Sequence, residues 1–206
     1  TCRLEQALIQ DKRQPQLAFF PLSSTQAKTP ITQSQIKTLI GLVTDKYDFI
    51  LIDSPAGIDE GFQTAIVSAH ESLVIVTPEV PSIRDADKVI GILATKGIKN
   101  NKLIINRIRP KMVKNDDMMS IDDITSILGI PVLGIIPDSE QVIIASNRGE
   151  PLVLEDSLSL PGVAFENIAR RLLGEDIEVL DMENISSKGL VKRIFSNLLN
   201  RKNQNS

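Results

Sequence analysis

Tryptophan is absent, tyrosine occurs once and aromatic residues make up only 3% of the chain. A core must therefore be assembled from isoleucine, leucine and valine, which suits a parallel sheet covered by helices. The one cysteine, Cys2, cannot form an internal disulfide and points to a reducing compartment. It has no neighbouring His or Cys with which to hold a metal. No apolar run is long enough to span a bilayer as a helix, and no apolar h-region marks a signal peptide. The start at Thr1 runs straight into helix-like sequence and reads as a cut or an unusual initiation point. Also missing from these 206 residues is the pattern GxxxxGK[ST], the Gly-rich loop that cradles nucleotide phosphates. A net charge of −3 gives no global attraction to nucleic acid.

What is present is enough to bury a core, since 42% of the residues are hydrophobic. A helix is expected at Leu4–Gln10 and a short strand at Leu17–Phe20, stopped by Pro21. Ile36, Leu39, Ile40 and Val43 fall at helical spacing. Phe49-Ile50-Leu51-Ile52 reads as a buried parallel strand that ends in Asp53. Helical sequence around Phe62–Ala69 leads to a second strand, Leu73–Thr77. Ser82 with Asp85 resembles a capping box that opens a helix through Leu93. Leu103–Asn106 and Val132–Ile136 are the next strands. Ser120–Leu128, closed by Gly129, Ser139–Ala145 and Leu160–Leu173 read as helices. This alternation predicts a three-layer α/β fold with a mainly parallel sheet. Residues 1–174 form the body, 175–187 a polar linker and 188–206 a separate tail.

An acid at the carboxyl end of a parallel strand sits where open α/β sheets bind ligands. In phosphate-cradling NTPases such an acid holds the water shell of Mg²⁺. The Ser54-Pro55-Ala56-Gly57 turn can approach a phosphate without a bulky side chain in the way. Taken alone, Asp53 reads equally as a turn or cap residue. Three strands end alike, in Asp53-Ser54-Pro55, Thr77-Pro78-Glu79 and Ile136-Pro137-Asp138, and Asn106-Arg107 ends a fourth. Strand ends on one side of a parallel sheet form one rim, so these groups would converge. The Asn106 amide offers both a donor and an acceptor to a base edge, although Asn106 and Asp138 also serve as ordinary turn residues. His70, the single histidine, has no Ser or Cys nucleophile paired with it and reads as structural or surface. The segment from Met118 to Pro131 has a passing likeness to a helix-turn-helix, but Pro131 and the strand after it argue against DNA reading.

The tail carries a second pattern. Leu190, Val191, Ile194, Phe195, Leu198 and Leu199 make one apolar stripe at helical spacing, with Lys192, Arg193 and Arg201 off it. Of the 23 basic residues, five lie in residues 186–206, which hold no acid; the other 18 face 26 acids, so the body is net −8. A helix of this length, roughly 22 Å, lies in a membrane interface without spanning it. Each basic residue there is worth about 1 kcal/mol against an anionic surface. The competing reading is a terminal helix packed on the body.

Taken in order, these residues resemble the ParA/MinD family of deviant-Walker ATPases, within it the MinD-type septum-site-determining members of bacteria and plastids. The likeness is carried by Gln6-Ala7-Leu8-Ile9 with Asp11-Lys12-Arg13, Asp53-Ser54-Pro55-Ala56-Gly57-Ile58, Thr77-Pro78-Glu79-Val80 and Ser82-Ile83-Arg84-Asp85. It continues through Gly91-Ile92-Leu93, Gly134-Ile135-Ile136-Pro137, Ala145-Ser146-Asn147, Gly149-Glu150-Pro151 and Arg171-Leu172-Leu173-Gly174. Gly189-Leu190, Lys192-Arg193 and Phe195 look like that family's membrane-targeting ending.

The resemblance implies a P-loop NTPase-like fold, ATP and Mg²⁺ as cofactors, and an ATP-dependent homodimer on an anionic membrane surface. It also implies a MinE-like regulator and a division-ring inhibitor as partners. Location would be peripheral, on the cytoplasmic face of a cell membrane or the stromal face of a plastid inner envelope. Asp53 would take the Walker B role and reach the metal through water, with Ser54, Pro55, Ala56 and Gly57 as the segment that senses the γ-phosphate. Asn106, Arg107, Pro137 and Asp138 match the positions that surround the adenine.

The family's first strand, its Gly-rich loop and its first helix would precede Thr1. Their lack would leave two neighbouring strands with unpaired edges. The chain by itself is then expected to bind ATP poorly, hydrolyse it negligibly and fold marginally. A DNA-partitioning ATPase of the same fold is one rival, which a body of net −8 disfavours. A non-catalytic, membrane-associated interaction protein is the other.

Overall fold

The computed structural model describes residues 4–21, 31–155, 159–180 and 182. Cys2 and the tail pattern at 188–206 lie outside the described residues. Two compact units divide between Ala69 and His70.

In the first unit, α1 (Leu4–Ala7) is followed by β1 (Ile9–Gln10), which pairs antiparallel with β2 (Ala18–Phe19). The expected helix at Leu4–Gln10 is thus shorter, because Asp11 turns the chain back. Its carboxylate accepts hydrogen bonds from the backbone N–H groups of Arg13 (2.7 Å) and Gln14 (3.0 Å). These bonds favour the ionised form and hold its pKa below the usual carboxylate value. α2 (Gln33–Val43) opens with a capping box. Thr32 Oγ1 accepts from the Gln35 N–H while Gln35 Oε1 accepts from the Thr32 N–H. Its buried Ile36 and Val43 face α3 (Glu60–Ala65), where Phe62 is buried, and the 3-10 turn Ile66–Ser68.

The strand expected at Phe49–Ile52 does not form: these residues belong to no strand, and Phe49 and Leu51 are 54% and 78% exposed. A strand is held by the ladder it joins. Among the described residues of this unit only β1 and β2 pair, with each other, and none of them offers the apolar run a ladder.

The second unit holds a parallel sheet in the order β3 (Glu71–Val76), β4 (Asn100–Ile108), β5 (Val132–Pro137). α4 (Val80–Thr95) crosses from β3 to β4. α5 (Pro110–Lys114) and α6 (Ile121–Leu128) cross from β4 to β5. α7 (Glu140–Arg148), a 3-10 turn at Leu152–Leu154 and α8 (Leu160–Leu172) follow. β4 is central, and its unbroken run Leu103-Ile104-Ile105 is buried on both faces, as a middle parallel strand requires.

α4 packs on β3 and α6, and α8 packs on β5. Gly134 makes that second contact possible, because a Cβ there would collide with the Ile168 side chain. α6 opens on Ser120, whose Oγ accepts from the Asp123 N–H, and closes on Gly129 at φ +63°.

The start of α4 differs from expectation. Ser82 does not cap it: the helix begins at Val80, and Ser82 Oγ accepts a hydrogen bond from the Thr77 N–H (3.0 Å). Pro81 in the first turn has no N–H to satisfy, which relaxes the need for a side-chain cap. Ser82 instead ties the helix to the end of β3. Beyond α8 the chain passes Glu178–Leu180 alongside Leu133–Ile135 and Ala164. Leu180 and Met182 are buried.

Candidate functional site: the carboxyl rim of the parallel sheet

Parallel strands bring their carboxyl ends to one edge, so the residues after β3, β4 and β5 share a rim. The end of β4 is irregular. Ile105 pairs with Ile135 and Ile108 with Pro137, so two residues of β4, Asn106 and Arg107, oppose the single Ile136. This is a β-bulge, a device that re-aims side chains and recurs beside functional sites. Arg107 sits in it at φ +62°, a left-handed conformation uncommon for a residue with a Cβ.

Past the bulge, Ile108 turns into the core, 1% exposed. Its carbonyl accepts from the Asp138 N–H (3.0 Å), which locks the end of β5 to the end of β4. The side chains of Arg107 and Arg109 lie on the other side and both reach Asp138. Arg107 Nε donates to Oδ1 at 3.3 Å, and Arg109 Nε donates to Oδ2 at 2.6 Å. Arg109 is steadied in turn by sulfur: its N–H points to Met118 Sδ (3.4 Å), and Nη1 lies 4.0 Å from Met112 Sδ.

The Asp138 carboxyl is held below its usual pKa, chiefly by the hydrogen bond from Arg109 against an opposing contribution from burial, with Arg107 adding less. It is therefore an acceptor at any neutral pH. Asn106, half-buried in the bulge, adds an amide with donors and an acceptor. Two guanidinium groups, an ionised carboxylate and an amide on one rim suit a flat, polar, hydrogen-bonding group such as a nucleotide base. Ser139 follows and caps α7, its Oγ accepting from the Gln141 N–H (3.2 Å).

Asp53 lies in the first unit and is exposed. After it, Ser54 Oγ donates to the Pro55 carbonyl (3.2 Å), and Gly57 takes φ +92°. Pro55 packs against the first turn of α3 at Gly61, where a Cβ would stand 2.9 Å from Pro55 Cγ. The turn is thus seated on α3 by a glycine. An exposed carboxylate beside a small-residue turn fits an outer-sphere ligand of Mg²⁺. The pattern GxxxxGK[ST] that would hold the phosphates occurs nowhere in the 206 residues.

The structure brings together Asn106, Arg107, Pro137 and Asp138, four of the residues expected around a base. Asp53–Gly57 forms its own local turn. Arg109 lies outside the set expected around a base; it follows Arg107 by two residues, and the left-handed bulge at Arg107 leaves both side chains on Asp138. His70 is exposed just before β3. Among the described residues no group of His, Cys, Asp and Glu forms a metal-binding cluster. A hollow of about 320 Å³ opens at the opposite end of the sheet, beside Lys102, Pro131 and Arg171. It takes no part in the rim.

The domain family described as the CobQ/CobB/MinD/ParA nucleotide binding domain matches residues 6–152. A putative septum site-determining protein MinD of Emiliania huxleyi is 62% identical over 200 residues, covering 97% of this chain and 74% of that protein. The solved MinD cell division protein of Aquifex aeolicus superposes with a TM-score of 0.78 at 42% identity, over 85% of this chain and 72% of its own. MinD in the MinC:MinD cell division complex of the same organism gives 0.77 at 43%, over 85% and 70%. The chain has the P-loop NTPase-like α/β fold and belongs to the CobQ/CobB/MinD/ParA nucleotide-binding family, as a protein of the MinD type.

Proposed function

We propose that the chain is a MinD-type ATPase of division-site placement, in a cell or a plastid. The single observation that carries this reading is the 62% identity to a septum site-determining relative across 97% of the chain. The rim of β4 and β5 supports it physically. Asn106, Arg107, Pro137 and Asp138 would take the base of ATP, while Asp53 would hold the water shell of Mg²⁺ and Ser54–Gly57 would respond to the γ-phosphate. The bound metal would offset charge on the phosphates; this chain's part is to orient base and metal.

A division-ring inhibitor is the partner proposed first, because a related structure is a MinC:MinD complex. An ATP-dependent homodimer, a MinE-like regulator and a peripheral location on an anionic membrane complete the proposal. In this arrangement residues 1–174 form the ATPase body and 188–206 the membrane tail, joined by the 175–187 linker, whose Leu180 and Met182 are buried. Two tails in a dimer would bind far better than one through effective concentration. Without a GxxxxGK[ST] loop, the 206-residue chain alone should hydrolyse ATP negligibly; measurable turnover by it would overturn that part.

Co-sedimentation with anionic vesicles and a MinC-type inhibitor tests the whole. The chain should pellet and carry the inhibitor with it, and Phe195→Glu should leave both in the supernatant. A chain that pellets without the inhibitor would reject the division role. Unchanged binding by Phe195→Glu would reject the tail as the anchor.

A further inference from the structure

We infer that Arg109 is a positioning residue that sets base selectivity at the rim, by fixing Asp138 so that one carboxylate oxygen accepts the exocyclic amine of a 6-aminopurine. The inference rests on the nucleotide reading above and adds to it a residue outside the set expected to surround the base.

The geometry divides the labour between the two carboxylate oxygens. Arg109 places Nε and Nη2 each 2.6 Å from Oδ2, so that oxygen is occupied. Oδ1 carries only the longer bond from Arg107 Nε, at 3.3 Å. An ionised carboxylate has about four lone-pair sites, so Oδ1 keeps acceptor capacity toward the rim. Adenine offers an amine at its 6-position, whereas guanine offers a carbonyl oxygen there. A carboxylate oxygen accepts from the first and repels the second.

Arg109 is the group that makes this arrangement rigid. It makes the shorter of the two Asp138 contacts, is anchored by Met118 and Met112, and precedes α5 as its N-cap residue. Arg107 is held in the strained bulge conformation and makes the weaker contact. With Arg109 removed, Asp138 would be free to turn toward Arg107, and Oδ1 would lose its orientation. Both arginines are more than half exposed, so the pair itself adds little to folding stability. A merely structural ion pair would leave base preference untouched.

The test is an NMR titration of the ¹⁵N-labelled 206-residue chain with AMP and with GMP, following the amides of Arg107 and Asp138. Weak binding is readable this way. The wild-type chain should prefer AMP. Arg109→Gln should weaken AMP binding by roughly three- to tenfold with little change for GMP, the loss of about one oriented hydrogen bond. Arg109→Lys, which keeps charge but not the fork, should recover part of the preference.

Wild-type selectivity retained in Arg109→Gln would overturn the role of Arg109 while leaving the nucleotide reading intact. A wild-type chain that shifts with neither nucleotide, or equally with both, would overturn the base site and this role with it. Should Arg109→Gln fail to fold, Arg109→Lys decides: full AMP preference there rejects an oriented fork.

Discussion

Two stretches of nearly the same composition have opposite fates. Phe49-Ile50-Leu51-Ile52 in the first unit and Leu103-Ile104-Ile105 in the second are both apolar runs that lead to a polar residue at the end, Asp53 and Asn106. The second is the centre of a parallel sheet, with Leu103 and Ile105 fully buried between β3 and β5. The first belongs to no strand and leaves Leu51 78% exposed. The difference lies in the neighbours. A parallel strand needs a ladder to at least one neighbour and cover on its faces, and β4 has a ladder on both edges. The 49–52 run has the side chains of a buried strand but joins no ladder among the described residues.

The largest test of this contrast is a pair of truncations. Ile105→Ala should destabilise the second unit by about 2–5 kcal/mol, the transfer loss plus the cavity left in a packed site. Leu51→Ala should change stability by less than about 0.5 kcal/mol, as at other exposed positions. Urea unfolding followed by circular dichroism measures both. A large cost for Leu51→Ala would show that the run is buried in solution and that the contrast is false. Any addition that supplies a strand beside residues 49–52 should raise the cost of Leu51→Ala toward that of Ile105→Ala.

A second test probes how tightly the ordered unit is built. Gly134 on β5 faces Ile168 on α8 with no room for a Cβ. Gly134→Val should cost about 1–3 kcal/mol, because α8 must shift or Ile168 must leave its rotamer. Pairing it with Ile168→Ala should recover part of the loss. Additive costs would mean that the two residues do not meet.

These contrasts also show what could be read from the sequence and what could not. β4 was legible because a middle parallel strand is written as an unbroken Ile and Leu run, β5 because its apolar run, opened only by Gly134, stops at Pro137, and α6 because Ser120 and Gly129 punctuate it. The same rule misread 49–52, since pairing depends on a second segment that the run itself does not encode. β2 lies within the strand expected at Leu17–Phe20, but its partner β1 reads as the end of a helix, because a two-residue strand carries no periodicity and only the Asp11 turn marks it. Ser82 and Asp85 had the spacing of a capping box, yet Pro81 removed one N–H that a cap would satisfy, and Ser82 bonded backward to Thr77. At the site, the residues at strand ends were legible from topology. The bulge at Asn106–Arg107 was not, because it depends on register between β4 and β5, and Arg109 came into play only through that bulge.

The smallest expected effect separates the two units by the kind of charge each stabilises. Asp11 in the first unit and Asp138 in the second both have lowered pKa values, but for different reasons. Backbone N–H groups dominate at Asp11, whereas the arginine side chains dominate among the favourable contacts at Asp138. With the folded pKa below the unfolded value near 3.8, each carboxylate contributes stability that is complete above that value. That contribution fades as pH falls through the folded pKa. Asp138→Asn should therefore flatten the acid limb of the second unit's stability curve, below about pH 4.

Salt distinguishes the causes. At about 1 M salt, where the Debye length is roughly 3 Å, the charge attraction of exposed arginines is weakened while hydrogen bonds at contact distance persist. The Asp138 carboxyl, followed by ¹³C NMR titration, should move only part of the way back toward its ordinary pKa in high salt, because its Arg109 hydrogen bond remains, and Asp11, held chiefly by backbone N–H groups, should move less. Equal shifts at both sites would mean that the Arg107–Asp138–Arg109 cluster is held by something other than its charges. The rim would then lack the fixed carboxylate on which its selectivity depends.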